Sequence, residues 1–293
     1  MKFKYEDAAF KTLSSATLKA LSQQIKDDID AYCVKEFTDE HRTHLGASII
    51  GHDCHRYIWY AFRWVKYQVF SGRMLRLFNR GSLEEQRFIK WLRGIGCQVW
   101  EVDPNTNEQF HIWGVQGHYG GSLDSGGKLP YFPDLPMLFE YKTHNTKSFS
   151  NLVNKGSIKL AKYDHYSQMS SYGKHYGFKY GMYIATNKND DDLYIEIVEL
   201  DWNLAHDLMN KAQDIILSPF PPPRISDQPS YYECKWCPFQ GICHYQEPVE
   251  INCRSCKFCE PVANKEWKCH KFNAIIPQDF LVKGCDQHIS IIN

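Results

Sequence analysis

MLFEYKT, residues 137–143, is an apolar run broken at two positions two apart, Glu140 and Lys142. Side chains alternate along a strand, so these two project to one side while Tyr141 points into the opposite layer. The run is otherwise apolar enough to be interior, where charges are costly unless they serve a site. Just upstream, GGSLDSGG (120–127) carries Asp124. A hard divalent cation such as Mg²⁺ takes oxygen ligands from one or two carboxylates, water and phosphate, which Asp124 and Glu140 can supply. Lys142 would then orient or deprotonate a water, or stabilise charge on a phosphate. Alone, a Glu-x-Lys pair on an edge strand is ordinarily just a solvated face.

On either side of this run the pattern alternates between helical and extended. Apolar positions recur at helical spacing over 7–36 (Phe10, Leu13, Leu18, Leu21, Ile25, Ile29), and 54–64 and 73–94 read the same way. VWEVD (99–103) and QFHIWGV (109–115) join MLFEYKT as expected strands of one sheet, separated by Pro, Asn and Gly. A helix is predicted over 164–175, strands over YGMYIAT (180–186) and LYIEIVEL (193–200) across the turn NKNDDD, and a helix over 203–217. Pro219, Pro221, Pro222 and Pro223 then break the chain before a cysteine-rich tail.

The chain has 293 residues, 43% hydrophobic and 15% aromatic, enough to bury a sizeable core. Lys plus Arg equal Asp plus Glu at 34 each, so any nucleic-acid surface must be a local patch. No stretch approaches the roughly 20 apolar residues of a membrane span, and MKFKYEDAAF lacks a signal-peptide core. The expectation is a soluble, cytoplasmic protein with no membrane partner.

Of eleven cysteines, eight lie between Cys234 and Cys285, which in a reducing compartment argues for metal ligation. In a secreted protein the same residues would read as a disulfide framework. Cys234, Cys237 and Cys243 stand in YECKWCPFQGICH, with Cys54 of GHDCHRYIWY as a distant fourth; such a set suits Zn²⁺ or an iron-sulfur cluster, and spacing does not choose. Beyond Glu250 come Cys253, Cys256, Cys259, Cys269 and Cys285, with His270 and His288. Cys253, Cys256, Cys269 and Cys285 form the expected structural Zn²⁺ set, with Cys259 or His288 as a replacement ligand. A module of about forty residues has too small a core to fold unaided, and a metal supplies what is missing. Cys33 and Cys97 read as packing residues, as does His118.

Residues 48–243 resemble the RecB-like PD-(D/E)xK nucleases, which include phage recombination exonucleases and the CRISPR-associated RecB-like exonucleases. RGSLEEQRF (80–88) offers the glycine and helical glutamate of that group as Gly81 and Glu85, with Glu84 adjacent. Asp124 and the pair Glu140 and Lys142 match its second and third motifs, and Gln168 and Tyr172, in YDHYSQMSSYG (163–173), match its QxxxY helix. Leu123 stands where the superfamily name has proline. In the CRISPR-associated branch and the AddB nuclease subunits, one cysteine before the core and three after it hold a 4Fe-4S cluster, which maps onto Cys54, Cys234, Cys237 and Cys243.

The resemblance implies an α/β restriction-endonuclease-like core, a central mixed sheet flanked by helices, over 48–246. A helical region (1–47) precedes it and a zinc-ribbon-like module (247–293) follows. It implies an exonuclease on linear DNA, with Glu85, Asp124 and Glu140 holding Mg²⁺ or Mn²⁺, Lys142 handling water, and Gln168 and Tyr172 positioning the strand. Lys147, Phe149, Lys155 and Lys159 are candidates to lie along the DNA backbone. The setting implied is phage recombination or replication in the host cytoplasm, with a recombination or single-strand-binding protein as a further partner. The rivals are an endonuclease, a spacer-trimming nuclease of CRISPR adaptation, and a catalytically idle DNA-binding scaffold whose metals are structural.

Overall fold

A computed structural model of the chain describes residues 14–39 and 41–292. In order these form α1 (Ser15–Phe37), β1 (Leu45–Gly46), α2 (His55–Phe62), α3 (Gly72–Gly94), β2 (Gln98–Trp100), β3 (His111–Gly114), β4 (Tyr119–Ser122), β5 (Ser125–Leu129), β6 (Phe132–His144), α4 (Thr146–Lys155), α5 (Ile158–Ala161), α6 (Tyr163–Tyr176), β7 (Tyr180–Asn187), β8 (Leu193–Glu199) and α7 (Trp202–Leu217). The tail adds α8 (Tyr232–Lys235), α9 (Gln240–Tyr245), β9 (Cys259–Pro261), β10 (Trp267–Cys269), β11 (Ala274–Ile275) and α10 (Gln278–Lys283). Among the described residues no helix is long and apolar enough to cross a membrane.

The chain divides into two units, Met1–Asp39 with Val69–Arg80, and Glu40–Gln68 with Gly81–Asn293. In the first, Ser14 caps α1 by accepting the Thr17 amide at 3.1 Å. Gly72 lies so close to Asp30 that a Cβ there would stand 2.4 Å from the Asp30 carbonyl oxygen, and Arg76 pairs with the Asp30 carboxylate. Phe10 and Leu13, the first positions of the expected helix, lie outside the described residues. Leu18, Leu21, Ile25 and Ile29 are exposed, so the apolar spacing that marks this helix does not bury it.

The second unit is a mixed α/β structure built on a central sheet in the order β2-β5-β6-β7-β8. β6 and β7 run parallel, the other pairs antiparallel. β6 is the middle strand, buried on both faces, which accounts for its nearly continuous apolar run. Met137, Phe139 and Tyr141 face a cluster that includes Phe88, Ile89 and Leu92 of α3; Leu138 faces the other, with Met169 and Tyr172 of α6. Each such fully buried side chain stabilises the fold by about 1.5–3 kcal/mol.

One expectation is overturned. QFHIWGV does not share a sheet with MLFEYKT; β3 pairs with β4, which pairs with β1, in a separate small sheet. The physical reason lies in Gly120 and Gly121, where a Cβ would meet the Trp113 ring at 2.6 Å and the Tyr172 hydroxyl at 2.5 Å. Bare backbone on both faces lets β3 and α6 close on β4. The chain leaves one sheet at Ser122 and enters the other at Ser125, so Asp124 sits on the crossing, anchored by buried Leu123.

Candidate functional site

α3 presents two adjacent glutamates to different surroundings. Glu84 is buried and pairs with Arg87 one turn on, at 2.6 Å. Glu85, a third of a turn round, feels Asp124 and Lys142: burial first, then the charge of Asp124, push its pKa up to about 7, with Lys142 opposing. Asp124 Oδ2 accepts the Tyr141 amide hydrogen at 2.9 Å and lies 3.9 Å from Lys142 Nζ. Glu140 is fully buried; its Oε1 is ion-paired with Lys142 and its Oε2 has no partner. Burial, then Asp124, push Glu140 up to about 7, against the pull of Lys142. For Lys142 burial disfavours the charge, but Glu140 and Asp124 outweigh it and hold the pKa above the ordinary value. Three acids around one ammonium leave surplus negative charge and an unsatisfied carboxylate oxygen, a deficit that a cation would fill.

Gln168 and Tyr172 sit one turn apart on α6, both buried, with Gln168 Nε2 donating to the Tyr172 hydroxyl at 3.2 Å. Burial raises the Tyr172 pKa, and so do Glu140 and Asp124, which places the phenol beside the acids.

A hydrogen-bonded chain that the sequence reading passed over adjoins the site. Tyr183 of β7 is the register partner of Glu140, and its hydroxyl joins His144 Nε2 at 2.8 Å and His165 Nδ1 at 2.9 Å. His144 Nδ1 continues to Ser148 Oγ at 3.1 Å, which accepts from Lys162. Burial, then neighbouring lysines, lower His144 to about 4; burial, then Lys142, lower His165 to about 2. Both rings are therefore neutral at pH 7. The available signal was period two: Glu140, Lys142 and His144 share one face of β6. Of the residues expected along a DNA backbone, Lys147, Lys155 and Lys159 are exposed, but Phe149 is buried in the core and offers no face to a base.

Cys54 caps α2, accepting the Tyr57 amide hydrogen, and shares one cavity of about 290 Å³ with Cys234, Cys237 and Cys243. Burial, and then Cys54, Cys243 and Cys234 among its neighbours, push Cys237 up to about 11, since four crowded thiols cannot ionise together without a cation. The second set closes more tightly: Cys253, Cys256, Cys259, Cys269 and Cys285 line a cavity of about 20 Å³, room for a single ion. Cys259 and Cys269 are register partners on β9 and β10. Cys33 and Cys97 are buried, and His118 is buried with Nε2 on the Val262 carbonyl at 2.8 Å.

Among the described residues no group of three or more His, Cys, Asp or Glu side chains stands in an arrangement that would itself hold a metal ion. The donor chemistry fits a cation in all three places nonetheless: hard oxygens with an orphaned Glu140 Oε2 in the first, and soft sulfurs facing one cavity in the other two. In the acidic site the Lys142 ammonium now supplies the positive charge.

No protein-family model matches the chain, and no curated protein matches it either. In three-dimensional comparison the chain is similar to the crystal structure of SSO0001, at 16% identity and a TM-score of 0.45, over 75% of this chain and 96% of that one. It is also similar to LHK-Exo in complex with dAMP, at 16% and 0.40, over 64% and 90%. The alkaline exonuclease LHK-Exo from Laribacter hongkongensis compares at 17% and 0.39, over 64% and 90%. Likeness at this level carries no conclusion about activity.

Proposed function

We propose that the chain is a Mg²⁺- or Mn²⁺-dependent deoxyribonuclease that hydrolyses phosphodiester bonds from DNA ends, in phage recombination or replication. The observation that supports this reading most directly is Glu140: a fully buried carboxylate with one oxygen unpartnered, beside Asp124, Glu85 and Lys142. A plain binding surface gains nothing from gathering three acids where a phosphate must approach.

A divalent cation here would supply Lewis-acid charge for in-line displacement at phosphorus. The remaining work falls to the chain. Glu85, Asp124 and Glu140 offer the oxygens that hold the cation, with Asp124 pinned by the Tyr141 amide. Lys142, kept protonated by its acidic neighbours, donates hydrogen bonds to the attacking water or a phosphate oxygen; an orienting and charge-stabilising role suits it better than that of a base. Gln168 and Tyr172 position the strand, with Gly121 leaving room for the phenol. Cys54, Cys234, Cys237 and Cys243 hold a 4Fe-4S cluster that ties the start of the nuclease domain to its end, and the cavity they share has room for more than one metal atom. Cys253, Cys256, Cys269 and Cys285 hold structural Zn²⁺.

The test is degradation of end-labelled linear DNA, beside a covalently closed circle, by anaerobically purified protein with Mg²⁺ or Mn²⁺. Loss of label from linear DNA only, abolished in Lys142→Ala, is the expected result. Cutting of the circle points to an endonuclease. No cleavage by folded, metal-replete protein overturns the enzymatic reading in favour of a DNA-binding scaffold.

A further inference from the structure

Two arginines are buried where no carboxylate answers them. Arg63, the residue after α2, is 1% exposed, and Arg254, inside the second cysteine set, is 0% exposed. Among the described residues no Asp or Glu is a charge partner of either, and the Nε of each has no hydrogen-bond partner. Arg63 Nη2 donates to the carbonyls of Cys256 at 3.2 Å and Cys259 at 2.8 Å. Arg254 donates to the carbonyls of Arg42, Thr43 and Phe62. Its guanidinium lies over Trp64 at 4.0 Å and Trp267 at 4.4 Å, and Arg63 lies over the same Trp267 at 5.3 Å. Carbonyl dipoles and aromatic faces ease two buried charges but do not neutralise them, and like charges this close repel.

Among the described residues, the groups able to carry negative charge that these arginines feel are sulfurs, Cys259 and Cys256 for Arg63 and Cys259 for Arg254. A divalent ion held by four thiolates keeps two surplus negative charges; replacing one thiolate by a neutral histidine leaves one. His288 lines the same cavity with Nε2 on Ser255 Oγ at 3.0 Å, a bond that leaves Nδ1 able to ligate, so it is the count of charge that decides between the two sets.

We propose that Arg63 and Arg254 are the charge partners of the second cysteine centre, and that this centre is accordingly all-thiolate, formed by four of Cys253, Cys256, Cys259, Cys269 and Cys285 without histidine. The proposal rests on the reading of this tail as a metal centre and adds its ligand class and its counter-charge. Arg63 directly follows α2, so the same contacts fasten the tail to the helix that Cys54 caps. Outer groups of this kind hold the ligands' charge and orientation, and removing one typically lowers metal affinity about 10–100-fold.

The experiment uses the full chain. Metal content is measured first, Co²⁺ is then exchanged into the tail, and its visible spectrum is recorded for wild type and His288→Ala. The expected result is a tetrathiolate spectrum unchanged by His288→Ala, with at least tenfold weaker metal retention against a competing chelator in Arg63→Met and in Arg254→Met. A spectrum of three sulfurs and one nitrogen, or unchanged retention in folded arginine variants, overturns the proposal while leaving the metal centre standing. Absence of any tail metal, with the cluster at the first set intact, overturns the underlying reading instead. Should the arginine variants fail to fold, the wild-type and His288→Ala spectra still decide the ligand class.

Discussion

The carboxylate of Asp124 is fastened to the backbone amide of Tyr141, the residue between Glu140 and Lys142. One hydrogen bond, to Oδ2, thus fixes an acid on the sheet crossing against the strand that carries the other two groups. A loop residue acquires the rigidity of the middle strand.

Asp124→Asn keeps an oxygen for the Tyr141 amide but removes a charge from a crowded acidic site. We expect nuclease activity to fall at least a hundredfold while the metal-free melting temperature holds or rises by a few degrees. Parallel nuclease and thermal-melt assays check this, and a large loss of stability would show the carboxylate to be structural.

Burial and Asp124 raise Glu85 to about 7 from an ordinary value of 4.5. The folded state therefore binds this proton more tightly than the unfolded state; the stability it brings is complete below about pH 4.5 and is lost as pH rises through about 7. Several buried histidines titrate in the opposite sense, so the informative quantity is the difference between wild type and Glu85→Gln. In metal-free buffer the variant should match wild type near pH 4.5 and exceed it by a few degrees near pH 8, with Mn²⁺ closing the gap by stabilising wild type alone. A difference independent of pH would mean that Glu85 is solvated.

Lys142→Met leaves Glu140 buried without its ammonium. Breaking one side of such a pair costs about 3–5 kcal/mol; without the ammonium that holds it down the Glu140 pKa moves further above 7, so protonation relieves the loss in acid and at neutral pH, and the loss should grow as pH rises into the alkaline range. Adding Glu140→Gln should restore most of the stability and none of the activity, as read by denaturant titration and nuclease assay. If the double variant is as unstable as the single one, the pair is not the source of the loss.

Tyr183→Phe cuts the hydrogen bonds to His144 and His165 together. Each stranded ring nitrogen costs about 1–3 kcal/mol, and we expect kcat to fall about tenfold with little change in KM, because the histidines back Lys142 rather than touch DNA. An unaltered kcat in a destabilised variant would reduce the chain to packing.

Much of this was legible in the amino-acid order, and the exceptions share a cause. β6 and its neighbours could be read because an interior strand must be apolar, so Glu140 and Lys142 stand out. His144, on the same face, did not stand out, since a histidine after a threonine at a strand end looks like a turn residue until Tyr183 is seen opposite. Sheet membership of β3 was not readable: HIWG and VWEVD carry the same propensities, and the separation is made by Gly120 and Gly121 admitting Trp113 and Tyr172. Phe149 lies in a basic, polar stretch and is buried all the same, because α4 turns that one edge to the core. Arg63 and Arg254 look in sequence like ordinary surface arginines; what buries them is tertiary.

Arg63 also sets a timetable. The carbonyls that receive its hydrogens lie 193 and 196 residues further along the chain. At about 5–20 residues per second, the ribosome takes roughly 10–40 s to cover that distance. Through that interval the guanidinium and Trp59 beside it lack the Cys256 and Cys259 carbonyls and the Trp267 ring that cover them, so folding of this region waits for the cysteine-rich tail. A ribosome stalled before the tail would release a chain holding every acidic residue of the candidate site but lacking the backbone that lets its interior close.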